Sequence, residues 1–208
     1  MNHTKMTIKG DKFYINGELT YSEIDGCPYR GLLMNARFIQ GIYDDKTGRE
    51  RYSRFGKSFD PDQNTDELIE SLPEWYQAGL RAFTVGLQGG GPCFTIPLDS
   101  IDNNPYGSDG KNLDQAYLSR LARLIDAADR QGMVVIVSLF YGVQSMYLTD
   151  DDAVEQAVTN ICRWLKDRDD KNVIIEAANE HNISAFECHK VLSQENGILR
   201  LMEIAKKV

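Results

Sequence analysis

The strongest constraint on the fold is a fourfold alternation. A short apolar run is followed by a polar loop and then by a run with helical spacing. The apolar runs are Gly31–Asn35, Ala82–Gly86, Met133–Phe140 and Val173–Ala178. Met133–Phe140 is apolar at nearly every position, as a strand covered on both faces is. The first helical run follows a polar loop over Gln40–Gln63 and begins near Asn64, a capping residue, with Asp66 and Glu67 in its first turn. It places Leu68, Leu72, Trp75 and Tyr76 on one face and ends at Gly79. The second spans Asp114–Gln131, with Leu118, Leu121, Leu124, Ile125 and Ala128 as its stripe and Gly132 as its stop. The third spans Asp151–Arg168, where Val154, Ala157, Val158, Ile161, Trp164 and Leu165 turn inward and Asp150–Asp152 complement the helix dipole. The fourth runs from about Gly197 to Lys207. Strands alternating with helices of this length imply parallel βαβ units.

Before the first unit, Met6–Tyr21 alternates apolar and polar residues around the turn signals Gly10-Asp11 and Asn16-Gly17. That pattern predicts a small β-hairpin or meander. The expected organisation is an N-terminal hairpin extension over residues 1–30 and four βα units over residues 31–208.

Two architectures build parallel units, the doubly wound open sheet and the (β/α)8 barrel. The first usually carries a glycine-rich phosphate turn after its first strand, and Ala36–Gly41 has no G-x-G-x-x-G. Glycines 86, 89, 90 and 91 follow the second strand instead, and Pro92 and a long loop come next, so they read as a loop rather than a phosphate cradle. The fold class is therefore α/β: parallel (β/α) units of a TIM barrel, about four of the eight.

The net charge of −8 argues against nucleic acid and anionic membrane as partners, since each needs a basic surface. No run approaches the ~18 apolar residues of a membrane span. Met1–Gly10 is polar and lacks the apolar core of a signal peptide, so the chain as it stands reads as cytoplasmic; a mature secreted form would read the same. The four cysteines, Cys27, Cys93, Cys162 and Cys188, form no C-x-x-C pair and read as free, mostly buried thiols. His189 beside Cys188, even with His181, lacks a matching metal-ligand partner, so no metal and no cofactor are expected.

The chemistry concentrates at the end of the fourth strand, in Asn179-Glu180-His181-Asn182. Active sites of parallel α/β folds lie at the C-terminal ends of their strands. A carboxylate at the mouth of an apolar core is suited to general-acid work, because desolvation favours its protonated form. Asn179 can donate its amide to a substrate hydroxyl or to that carboxylate.

An Asn-Glu pair ending strand four resembles the signature of the clan of retaining (β/α)8 glycoside hydrolases that includes cellulases, mannanases and β-galactosidases. Phe13–Gly17 resembles the hairpin that often precedes the first barrel strand in that clan. Pro73–Leu80, Ala127–Met133, and Trp164–Arg168 before Asn172–Glu176 are similar to the clan's helix-to-strand junctions. The resemblance implies a glycoside hydrolase acting on an oligo- or polysaccharide, with Glu180 as acid/base and Asn179 contacting the sugar 2-hydroxyl. It also implies a nucleophilic Glu on strand seven, which this chain does not contain. An arginine often found near strand two in the clan is missing from Phe83–Gln88, and Arg37, just past strand one, is its candidate substitute.

Asn35, Arg37, Gln88, Tyr141, His181 and Asn182 are the further candidates for substrate binding. For each, the alternative is a rim residue that only packs, and for Glu180 it is a carboxylate ion-paired at a strand end. Trp75 and Trp164 sit at core spacing, and Asp44-Asp45 reads as a solvated turn. A chain that stops after four units exposes the apolar edges of strands one and four, which favours a homo-oligomer. The competing function is a carbohydrate-binding or scaffolding half-barrel without catalysis.

Overall fold

The structure is a computed structural model, and it describes residues 3–89 and 101–208. A three-stranded antiparallel sheet opens the chain, with β1 (Met6–Lys9), β2 (Lys12–Ile15) and β3 (Glu18–Leu19) in sequential order. The second turn holds Asn16 at φ 54° and Gly17 at φ 86°, the left-handed pair that Asn-Gly adopts most readily. Hydrogen bonds tie this N-terminal region to the chain just ahead of the parallel strands. Met6 N–H donates to Lys171 O at 3.0 Å, and the Tyr21 hydroxyl donates to Gly79 O at 2.9 Å. The small sheet therefore sits at the N-terminal end of the parallel strands.

Four parallel strands follow: β4 (Asn35–Arg37), β5 (Ala82–Gly86), β6 (Val134–Phe140) and β7 (Val173–Ala178). Their spatial order is β4-β5-β6-β7, identical to their order in the chain. A doubly wound sheet reverses direction from its first strand, whereas a barrel adds each strand beside the last. The order here is that of the barrel. The helices are α1 (Pro61–Gln77), α2 (Gln115–Gln131), the short α3 (Gly142–Ser145), α4 (Asp151–Arg168), the short α5 (Lys190–Ser193) and α6 (Glu195–Lys207).

The core lies between helices and sheet. Leu118, Leu121, Leu124, Ile125 and Ala128 of α2 are buried, as the helical spacing requires. Each fully buried Leu or Ile contributes about 1.5–3 kcal/mol of transfer free energy. Trp75 and Trp164 are half-buried against this core, Trp75 stacked on Phe38 at 4.1 Å between centroids. The central strands β5 and β6 are almost wholly buried, while β7, at the edge of the described sheet, is half-buried along its length.

Several boundaries differ from expectation. The first parallel strand is Asn35–Arg37, not Gly31–Asn35. The reason is competition for hydrogen bonds: Gly31 O accepts from Phe13 N–H, and Gly31 N–H donates to Thr20 O, so Gly31 belongs to the N-terminal sheet. Helix α1 starts at Pro61 rather than Asn64, because Asp60 accepts from the amides of Asp62 and Gln63 and Pro61 supplies a preset φ. The Asn64 side chain instead donates to Gln40 O at 2.8 Å. The last helix starts at Glu195 rather than Gly197.

The Gln40–Gln63 loop is not simply polar. Ile42, Tyr43, Asp44 and Asp45 are buried, and Arg49–Phe55 forms a 3-10 helix. Asp44-Asp45 is therefore no solvated turn: Arg49 forks onto Asp44 at 2.9 and 3.0 Å, and Arg51 stands 3.7 Å from Asp45. The thiols also differ from expectation, since Cys162 is buried but Cys27 is half-buried and Cys188 exposed, each in a turn on the surface. Cys93, Gly90, Gly91 and Pro92 lie outside the described residues.

Candidate active site

At the end of β7 the backbone turns sharply, and Asn179–Asn182 form that turn. Asn179 N–H still bonds Phe140 O at 3.2 Å, the last rung of the sheet. The next residue, Glu180, has φ 53°. A left-handed backbone at a glutamate costs about 1–2 kcal/mol and is commonest where function requires it. Ile183 N–H bonds Glu180 O at 3.0 Å and closes the turn, so the bend is fixed by its own hydrogen bond. The Glu180 side chain is exposed at the C-terminal end of the sheet.

A polar chain runs across the sheet to this turn. Arg37, the last residue of β4, donates from Nη2 to Asn179 Oδ1 at 2.7 Å. Its Nη1 lies 3.4 Å from Glu176 Oε1. With its oxygen occupied by the guanidinium, the Asn179 amide has one orientation available, and its Nδ2 donates to Glu180 Oε2 at 3.4 Å. First and fourth strands, neighbours of no common partner in the ladder, are thus joined through Glu176, Arg37, Asn179 and Glu180. Glu176 was not among the sequence candidates. A single Glu inside the apolar run Val173–Ala178 was the available signal, since an ionised group there needs a partner. Its other oxygen, Oε2, is buried without a hydrogen-bond partner among the described residues.

Gln88 and Tyr141 meet as well. Gln88 is 1% exposed, and its Oε1 accepts from Tyr141 N–H at 2.9 Å, which ties the loops after β5 and β6 together. Tyr141 is half-buried at the start of α3. His181 is half-buried, with Nδ1 enclosed and unpartnered among the described residues, and Asn182 is exposed. Asn35 does not join them. It opens β4 opposite Ala82, the first residue of β5, and its amide donates to Leu33 O. The shift of the first strand moves it from the mouth to the opposite end of the sheet.

Away from the site, His189 is buried, with Nε2 at 2.9 Å from Ser145 O. Among the described residues no group of three or more His, Cys, Asp or Glu side chains is arranged to hold a metal ion. The buried phenols Tyr43, Tyr52 and Tyr117 are held neutral, first by desolvation and, for Tyr43 and Tyr52, also by the carboxylate of Asp45. No helix among the described residues is long and apolar enough to cross a membrane.

Comparison with known proteins agrees with the fold. The profile of the cellulase family, glycosyl hydrolase family 5, matches residues 62–194. Three solved structures share the fold. A candidate glycoside hydrolase from Bacteroides vulgatus ATCC 8482 has a TM-score of 0.60 at 13% identity, covering 99% of this chain and 37% of its own. The exo-β-1,4-mannosidase Op5Man5 from Opitutaceae bacterium strain TAV5 has a TM-score of 0.57 at 16% identity, covering 98% and 33%. A further glycoside hydrolase has a TM-score of 0.55 at 11% identity, covering 99% and 39%. The chain thus spans between 33% and 39% of the length of these three solved proteins. No curated protein sequence is significantly similar to it.

Proposed function

The chain belongs to the cellulase family, glycosyl hydrolase family 5, and on that premise we propose that the C-terminal end of its parallel sheet is the acid/base half of a retaining glycoside hydrolase site for an oligo- or polysaccharide. The observation that carries this reading is the chain Glu176–Arg37–Asn179–Glu180, which fixes an amide and a carboxylate side by side at the strand end.

Glu180 is the general acid in this reading. It protonates the leaving glycosidic oxygen in the first step and withdraws a proton from water in the second. Asn179 has an amide donor oriented by Arg37, and it directs that donor to the sugar 2-hydroxyl as well as to Glu180. Tyr141, His181 and Asn182 border the same end and contact neighbouring hydroxyls, while the buried Gln88 positions the Tyr141 backbone beneath them. Glu176 holds the guanidinium without touching sugar. Retaining chemistry needs a second carboxylate about 5–5.5 Å from the first. Of the four strands described, only β7 carries carboxylates at its end, and Glu176 is engaged by Arg37. The nucleophile is accordingly assigned to a residue outside these four units, and hydrolysis is not expected from them alone.

Calorimetric titration with gluco- and manno-oligosaccharides tests the site without requiring turnover. Asn179→Ala should weaken binding about tenfold, the loss of one well-placed hydrogen bond. Glu180→Gln preserves shape and hydrogen-bonding capacity and should bind within about threefold of the parent. Equal affinity of parent and Asn179→Ala for every sugar bound would overturn the assignment.

A further inference from the structure

The loop between β4 and α1 builds a second concave surface at the same end of the sheet. Tyr52 and Phe59 stack at 4.4 Å between centroids, with 22° between their planes. Phe55 stands beside them, 58% exposed, with the Arg54 guanidinium 4.6 Å from its ring centroid. Together with Gln63, Asn64 and Glu67 of α1 they line a cleft of about 470 Å³.

Ion pairs to two buried carboxylates hold this surface in place. The 3-10 helix Arg49–Phe55 carries Tyr52 and Phe55, and Arg49 and Arg51 reach back to Asp44 and Asp45, which are 4% and 0% exposed. Asp45 also accepts from Asn103 Nδ2 at 3.2 Å and from the Thr47 hydroxyl at 3.1 Å. The Tyr52 hydroxyl is buried without a hydrogen-bond partner among the described residues, and the ring is held by its stack on Phe59. Rings fixed before a ligand arrives lose little freedom when it binds.

The chemistry of the lining selects a class of ligand. Apolar ring faces suit the C–H face of a pyranose, and the amide and carboxylate rim suits its hydroxyls. The charges at the rim are already matched: Lys57 lies 3.4 Å from Glu67, and Gln63 Nε2 donates to Glu67 Oε1 at 3.0 Å. Carboxylates at the rim disfavour a phosphate or other anion. Asn64 and Glu67 also line the neighbouring cleft that ends at Arg37, the residue bonded to Asn179. The two clefts therefore share Asn64 and Glu67, and the second reaches Arg37 past Phe38, Leu68 and Trp75.

We propose that Tyr52, Phe55 and Phe59 form a second sugar-binding subsite, which takes a residue of an oligosaccharide distant from the bond at Glu180. The assignment rests on the carbohydrate reading of the Glu180 site and specifies that its substrate is a chain of several sugars. The subsite should tighten binding of long oligosaccharides and leave disaccharides unaffected.

Residue-resolved amide NMR of the full chain tests both sites at once. Cello- and manno-oligosaccharides of two and of six units serve as probes, added to the parent and to Phe55→Ala. Phe55 is exposed, so its loss spares the fold, and the spectrum itself reports folding. The expected result is hexasaccharide-induced shifts within residues 52–67 and within 179–182. Phe55→Ala should then weaken the hexasaccharide roughly fivefold, as expected for one aromatic contact, without changing disaccharide affinity. Shifts at 179–182 alone, with Phe55→Ala binding as the parent does, would overturn the subsite and leave the Glu180 reading intact. Shifts at 52–67 alone would support the subsite and overturn the Glu180 reading. No shifts with any probe would overturn both.

Discussion

Replacing Arg37 by methionine separates a positioning role from a structural one. The change removes the guanidinium and keeps most of the unbranched stem. Two contacts are lost, 3.4 Å to Glu176 and 2.7 Å to Asn179. At 3.4 Å a unit charge pair is worth about 5 kcal/mol at an effective dielectric near 20, and about 1 kcal/mol in bulk water. The Arg37 and Glu176 side chains are 43% and 29% exposed, so screening brings the pair close to the lower figure. Side-chain ordering costs a comparable amount, leaving a net loss under about 1 kcal/mol in urea unfolding. Affinity for sugar should respond more strongly. The bond to Asn179 is charge-assisted, worth about 1.5–3 kcal/mol when shielded and roughly half that in this open position. Asn179 is then free to turn, and oligosaccharide binding should weaken about five- to tenfold by calorimetry. A stability loss above about 2 kcal/mol would make Arg37 a structural residue. Unchanged affinity in a folded Arg37→Met protein would show that the guanidinium does not orient Asn179.

Two further outcomes follow from the scaffold. Asp114 caps α2 through the amides of Ala116 and Tyr117 and pairs with Lys46; burial raises its pKa, but these bonds outweigh it and hold the carboxyl below its ordinary value. Its folded pKa is thus below the unfolded value of about 3.9, so its contribution is complete above that pH and is lost as the pH falls through the folded value. Urea midpoints of the parent should therefore drop faster below about pH 4 than those of Asp114→Asn, and parallel profiles would contradict this. Gly110 has φ +69°, and a Cβ there would overlap the carbonyl oxygen of Ala153 in α4. Gly110→Ala should cost about 3 kcal/mol or more in thermal or urea unfolding, and a loss under about 1 kcal/mol would refute the contact.

The parallel units and the strand-four turn were legible because they rest on local signals. The strand Val173–Ala178 has the boundaries its apolar run predicts, and Asp114, Gly132 and Asp150 cap their helices as short-range chemistry requires. What escaped depends on distant partners. Asp44 and Asp45 sit in a polar stretch that looks solvated, and Arg49, Arg51, Asn103 and Tyr117, together with the nearby Thr47, make their burial tolerable. The first parallel strand was misplaced because Gly31 pairs with the N-terminal sheet, a choice no periodicity reveals. Arg37 was a candidate, but its bridge to Glu176 and Asn179 spans 139 and 142 residues of sequence.

The measurement that bears most directly on Glu180 uses a sugar that carries its own electrophile. An N-bromoacetyl glycosylamine of the sugar found to bind places its bromomethylene carbon near the leaving-group oxygen position. A carboxylate there displaces bromide and forms an ester, which peptide mass spectrometry locates. The account expects one label per chain, on Glu180, blocked by excess oligosaccharide and lost in Glu180→Gln. Labelling of another carboxylate, or labelling of Glu180 that excess oligosaccharide does not slow, would contradict the placement of the acid/base at the end of β7.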